Sequence, residues 1–214
     1  MTRQLSDLDP ARVRANLERV RERISAVGRD PESVELLAAI KYVPAAELPA
    51  LADAGVALVG ENRAQELVAK HELHGELFEW DFIGALQSRK VKDVAPLARL
   101  IHSLASDSAL AQLERHPARE VLVQVNVAGE EGKAGIAPGE LAAFIAACPV
   151  RVGGLMTMPP FVERAEDNRR HFARLAELAA EHGLERLSMG TSQDYEVAVQ
   201  EGATIVRLGS VLYD

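Results

Sequence analysis

Apolar and polar positions along this chain follow two alternating rhythms. Short, β-prone apolar runs recur from residue 34 to residue 212, separated by stretches whose apolar positions repeat every three to four residues. The runs are VELLAAI (34–40), VALVGE (56–61), EWDFIG (79–84), RLIHSLA (99–105), EVLVQVNV (120–127), VRVGGLMTM (150–158), RLSMG (186–190) and TIVRLGSVL (204–212). The helical stretches between them include AAELPALADAG, NRAQELVAKHEL, GELAAFIAAC and NRRHFARLAELAAEHG. In the last, Phe172, Leu175, Ala176, Leu178 and Ala179 share one face, and Gly183 marks its stop.

Strands that alternate with helices predict parallel pairing through right-handed crossovers. An open doubly wound sheet and a closed barrel both satisfy that alternation. Eight strands at this spacing favour the barrel, so the expectation is an α/β fold: a single (β/α)8 TIM-like barrel domain over residues 1–214. An extra amphipathic helix over 9–27 precedes the first strand, and no helix is expected after the last. In a closed ring the leading helix could cover the gap left at the end. No internal repeat, low-complexity segment or linker marks a second domain.

Composition narrows the function classes. The chain has 48% hydrophobic and 26% charged residues, as a globular protein should, and a net charge of −8. That charge, with no basic stripe interleaved with aromatics, argues against nucleic acid or an anionic membrane as partner. The N-terminus is polar, unlike a signal peptide, and no apolar run approaches the ~20 residues of a membrane span. Cys148 is the only cysteine, so no intrachain disulfide forms. At an expected helix end it reads as a small apolar residue rather than a reactive thiol. A cytoplasmic protein is expected.

Candidate chemistry gathers where strands end. Lys41 sits at the tip of the apolar run LLAAIKYVP, and a desolvated lysine there would have more of the neutral amine that condenses with an aldehyde. The alternative is a lysine with its stem on apolar surface and its head in water or paired with a carboxylate. SMGTS (188–192) and RLGS (207–210) end the last two strands, where barrels often hold a phosphate. Thr191 and Ser192 could cap the following helix with their N–H groups toward an anion, or form a plain capping turn. Arg207 could contact phosphate or a ring nitrogen while staying charged. His102 ends the fourth strand as a ligand contact or a satisfied structural histidine. An amine facing a phosphate grip suits a phosphorylated aldehyde.

The ordered set AAIKYVP, GENRAQE, DFIGALQSRK, HSLAS, VQVNVAGEEGKAGI, GLMTMP, LSMGTSQDYEVAV and VRLGS resembles the pyridoxal phosphate homeostasis proteins, relatives of the alanine racemase N-terminal barrel domain. The resemblance implies a Schiff base between Lys41 and pyridoxal 5′-phosphate, with Asn62 beside the cofactor. It also implies Ser188, Thr191, Ser192, Gly209 and Ser210 around the phosphate, Arg207 facing the pyridine nitrogen, and Met189 packing near the cofactor. Asp81 departs from the family, which usually has histidine there; Tyr42 and Thr191 are also unusual.

A permanent cation at the pyridine nitrogen makes the ring a poor electron sink, which favours holding the cofactor over catalysis with it. The first reading is therefore a non-catalytic protein that buffers pyridoxal phosphate or delivers it to acceptor apoenzymes, as a monomer. The alternative is an amino-acid racemase, which needs a second base; the tyrosines available are Tyr42, Tyr195 and Tyr213. A Schiff-base aldolase fits less well, because its lysine is expected on a later strand. His71, His74, His116, His171 and His182 read as surface residues without metal spacing, and Trp80 as packing between barrel and helices.

Overall fold

The computed structural model describes residue 5 and residues 7–214. Helix α1 (Pro10–Ala26) comes first, then β1 (Glu35–Ala39), α2 (Leu48–Asp53), β2 (Leu58–Glu61), α3 (Ala64–His74) and β3 (Glu79–Phe82). There follow α4 (Val91–Val94), β4 (Leu100–Leu104), α5 (Asp107–Leu113), β5 (Val121–Gln124), α6 (Leu141–Ala146) and β6 (Val152–Met156). The chain continues with α7 (Arg169–Glu181), β7 (Arg186–Thr191), α8 (Tyr195–Gln200), β8 (Ile205–Leu208) and a single turn, α9 (Ser210–Tyr213). The eight parallel strands close in sequence order, with β8 returning to pair β1. The expected barrel is present.

Strand alternation divides the apolar residues into two layers. Leu37, Leu58, Leu100, Leu122, Met156 and Ile205 fill the barrel interior. Their neighbours in sequence, such as Ala38, Val59, Ile101, Val123, Leu155 and Val206, face outward into the core shared with the helices. Trp80 lies in that outer layer, its indole N–H donating to the Gly75 carbonyl at 3.2 Å. Gly183 follows α7 at φ +64°, the left-handed turn expected of it.

Two expectations need correction at the end of the chain. The last strand stops at Leu208 instead of running to residue 212, and a helical turn follows where none was expected. Gly209 leaves the extended conformation (φ −120°, ψ −100°), and Leu212 and Tyr213 become buried by folding back beside α1. The Asn16 side-chain amide of α1 fastens that turn, donating to the carbonyls of Leu212 (2.9 Å) and Asp214 (3.1 Å). Helix α1 thus covers the seam, as the sequence predicts. Its start is fixed by Asp9, whose carboxylate accepts from Ala11 N–H at 2.9 Å, and by Pro10 in the first turn.

Candidate functional site at the barrel mouth

Lys41 follows β1 and opens a turn closed by Val43 N–H donating to the Ile40 carbonyl at 3.0 Å. Its side chain is exposed, with Nζ 4.7 Å from the centroid of the Tyr42 ring. The expected desolvation of this amine is therefore corrected: beyond the strand the backbone turns outward, and the aromatic face is its neighbour. Beneath it lies a buried pair. Lys70 Nζ bonds to Glu61 Oε2 (2.6 Å) and to the Ile40 carbonyl (2.9 Å), the residue before Lys41. Glu61 Oε1 in turn accepts from the N–H groups of Asn62 (2.7 Å) and Arg63 (3.2 Å). One ion pair thus holds the turn carrying Lys41 and the turn carrying Asn62.

Asn62 follows β2, and its amide oxygen is buried without a partner among the described residues. The β3 loop approaches it closely: a Cβ on Gly84 would collide with the Asn62 carbonyl, so glycine is required there. Ser103 also donates to the Gly84 carbonyl, tying the β3 and β4 ends together.

Inside the barrel a polar chain runs from the mouth to the opposite end. Arg207, 5% exposed, donates Nη1 to Ser188 Oγ (2.6 Å) and Nη2 to the Thr157 carbonyl and Met158 Sδ (both 2.9 Å). Ser188 Oγ lies 2.8 Å from His102 Nδ1, and His102 Nε2 lies 3.0 Å from Asp81 Oδ2. Arg99 grips Asp81 with two bonds of 2.9 and 2.7 Å and continues to Glu35 at 2.6 Å. Glu35 then pairs with Arg186 at 2.6 Å.

Burial pushes the Arg207 guanidinium down to about 10, opposed by the charge of Asp194, so it remains a cation at neutral pH. Burial also lowers His102, despite its bond to Asp81. It would raise Asp81, but the bonds from Arg99 and His102 outweigh it and hold the carboxyl below its ordinary value. Asp81 is thus a carboxylate and His102 a neutral imidazole.

Two residues that the resemblance sets near the cofactor lie on different faces of β7. Ser188 is fully buried, its hydroxyl between Arg207 and His102. Met189, the next residue, faces the opposite way, into the outer core. Adjacent strand residues point to opposite faces, so the two side chains belong to different layers.

The β7 and β8 turns form the remaining part. Gly190 at φ +89° redirects the chain, with no room for a Cβ beside Ala198 and Tyr195. Thr191 spends both its N–H (2.7 Å) and its hydroxyl (3.0 Å) on Asp194 Oδ1. Asp194, itself held by Asn168 at 2.9 Å, precedes α8. The expectation that Thr191 offers its N–H to an anion is corrected: the nearby carboxylate takes it. Ser192 Oγ accepts from Gly209 N–H at 2.9 Å and Val211 N–H at 3.4 Å, while Ser210 is exposed beside them. Ser192, Gly209 and Ser210 do come together.

The Glu61–Lys70 pair and Asp194 were not recognised from sequence. A signal for Lys70 exists: it continues the buried stripe of Ala64 and Leu67 on α3, where a lysine needs a partner. His171 is buried on α7, correcting its expected surface position. Cys148 is half-buried, and burial raises its thiol pKa, which disfavours the thiolate. Among the described residues no metal-ligand cluster occurs, and no helix is long and apolar enough to cross a membrane.

The family described as "Alanine racemase, N-terminal domain" matches residues 8–214. A pyridoxal phosphate homeostasis protein of Aquifex aeolicus is 40% identical, over 92% of this chain and 93% of its own. The corresponding protein of Pseudomonas aeruginosa is 42% identical, over 91% and 90%. PipY of Synechococcus elongatus, solved with PLP bound, superposes with a TM-score of 0.75 at 32% identity, over 91% of this chain and 100% of its own. The chain belongs to the pyridoxal phosphate homeostasis protein family, on the barrel of the alanine racemase N-terminal domain.

Proposed function

We propose that this protein binds pyridoxal 5′-phosphate at the barrel mouth and serves its homeostasis in the cytoplasm without dedicated turnover. The observation that carries the reading is the meeting of β1 and β8, in register Leu37 to Arg207, which sets an amine and a buried cation at one end of the barrel. Lys41 condenses with the cofactor aldehyde, forming a C=N bond and releasing water. Its exposure leaves the amine open to an incoming aldehyde.

The residues fit that ligand. Asn62 has a buried amide oxygen awaiting a donor. Three of the five N–H donors of Arg207 have protein partners, leaving two for a ring nitrogen. Gly209 and Val211 aim their N–H groups at the Ser192 hydroxyl, and Ser210 stands beside them. These residues would hold the phosphate. When bound, pyridoxal phosphate supplies an electrophilic imine carbon and an electron-withdrawing ring.

Absence of turnover is supported at two points. Arg207 presents a cation to the ring nitrogen, which disfavours its protonation. Tyr195 is buried, and Tyr213, also buried, donates its hydroxyl to the Ala39 carbonyl at 3.2 Å, so Tyr213 is not free as a second base. Tyr42, beside Lys41, is what the racemase alternative would need. The cofactor would pass to acceptor apoenzymes, with the carrier a monomer.

The test is an absorbance spectrum before and after adding pyridoxal phosphate, followed by borohydride reduction and peptide mapping. The expected result is a yellow protein with the cofactor fixed at Lys41. A colourless protein that takes up none ends the reading, and a label on Lys133 would move the linkage to the β5 loop. Lys41→Ala should lose the imine band. Rapid exchange of an amino-acid α-proton in deuterium oxide would establish the racemase instead.

A further inference from the structure

The polar chain behind Arg207 has a fixed direction. Asp81 is an acceptor only, so His102 Nε2 must carry the proton between them. In the neutral ring Nδ1 is then an acceptor, and the Ser188 hydroxyl donates to it. With its proton committed, Ser188 can only accept from Arg207 Nη1. Every bond runs one way, from Arg207 through Ser188 and His102 to Asp81.

Such a chain is more than packing. Asp81, His102 and Ser188 are fully buried, so no solvent can replace a lost partner. Arg207 has no carboxylate within ion-pair distance among the described residues. Its partners Ser188, Thr157 and Met158 are neutral, and Ser188 alone connects it, through His102, to a full negative charge. Asp81 is held from below by Arg99, itself braced by Glu35. The guanidinium plane is therefore set by bonds on both Nη atoms.

We infer that Asp81 and His102 are positioning residues for Arg207: Asp81 selects the His102 tautomer that turns the Ser188 lone pair toward the guanidinium and so fixes its orientation. For its bearing on the cofactor ring, the inference rests on the proposed function. Asp81 then has a definite task. A carboxylate dictates the tautomer, whereas a neutral group that can donate or accept would permit either.

The test reads the chain directly. Long-range proton–nitrogen correlation on the ligand-free, 15N-histidine-labelled protein at neutral pH should show His102 neutral and protonated at Nε2. Protonation at Nδ1, alone or together with Nε2, would overturn the inference. Asp81→Asn should shift His102 toward the Nδ1–H tautomer, and Asp81→Glu should restore the wild-type form. Asp81→Asn and Ser188→Ala should each release bound pyridoxal phosphate about tenfold faster, the worth of one hydrogen bond. If Asp81→Asn does not fold, Ser188→Ala, which changes little volume, decides. Release at the wild-type rate by the folded variants would also overturn the inference. If the wild-type protein takes up no cofactor, the proposed function fails, and the tautomer measurement still judges the chain.

Discussion

Arg207 shows how much a single side chain depends on those behind it. Its alanine variant should retain pyridoxal phosphate more weakly and shift the absorbance band; unchanged affinity and spectrum would mean that the guanidinium faces elsewhere. The same buried groups set a pH dependence. His102 is lowered from an ordinary 6.5 and Asp81 from 3.8, so in each case the unfolded chain binds the proton more readily than the folded one. Stability should therefore fall as pH drops below 6.5 and fall further below 3.8 as Asp81 also takes its proton. Urea titrations across that range should show His102→Gln removing part of the first loss; His171, lowered by its own burial, contributes another part. The sequence points to Arg207, and the family resemblance sets both Ser188 and Met189 near the cofactor. Strand alternation turns the two side chains to opposite faces, and only the register tells which of the two faces inward.

At the scale of elements, helix ends and buried pairs carry identifiable loads. Asp9→Ala removes the cap of α1 and should destabilise the protein by ~1 kcal/mol in denaturant titration. Lys70→Met strands Glu61 in the core and should cost about 3–5 kcal/mol, far beyond a surface change. A cost below 1 kcal/mol would show that the pair does not hold the Lys41 and Asn62 turns. The strand cores were legible because apolar runs mark them, whereas their ends were drawn too long. The apolar pattern continues past β8 through Val211 and Leu212, which are covered by α1 instead of by a neighbouring strand. Nothing local distinguishes those two coverings. Likewise, Thr191 and Ser192 read as caps, but the cap residue proved to be Asp194, whose carboxylate reaches back three positions.

For the whole molecule, alternation and a count of eight at this spacing made the closed ring readable. The polar chain along its axis was not readable, because it links residues of β1, β3, β4, β7 and β8 whose proximity follows only from closure. The first and last strands meet at β1–β8, and the Tyr213–Ala39 bond sits on that junction. A compound anchored to Lys41 on one side and to the β7–β8 turns on the other would act as a clasp across the ring's own fastening. Loading the protein should therefore slow amide exchange in α1, an element that touches no ligand, as well as in α9, by making it harder for the circle to spring open.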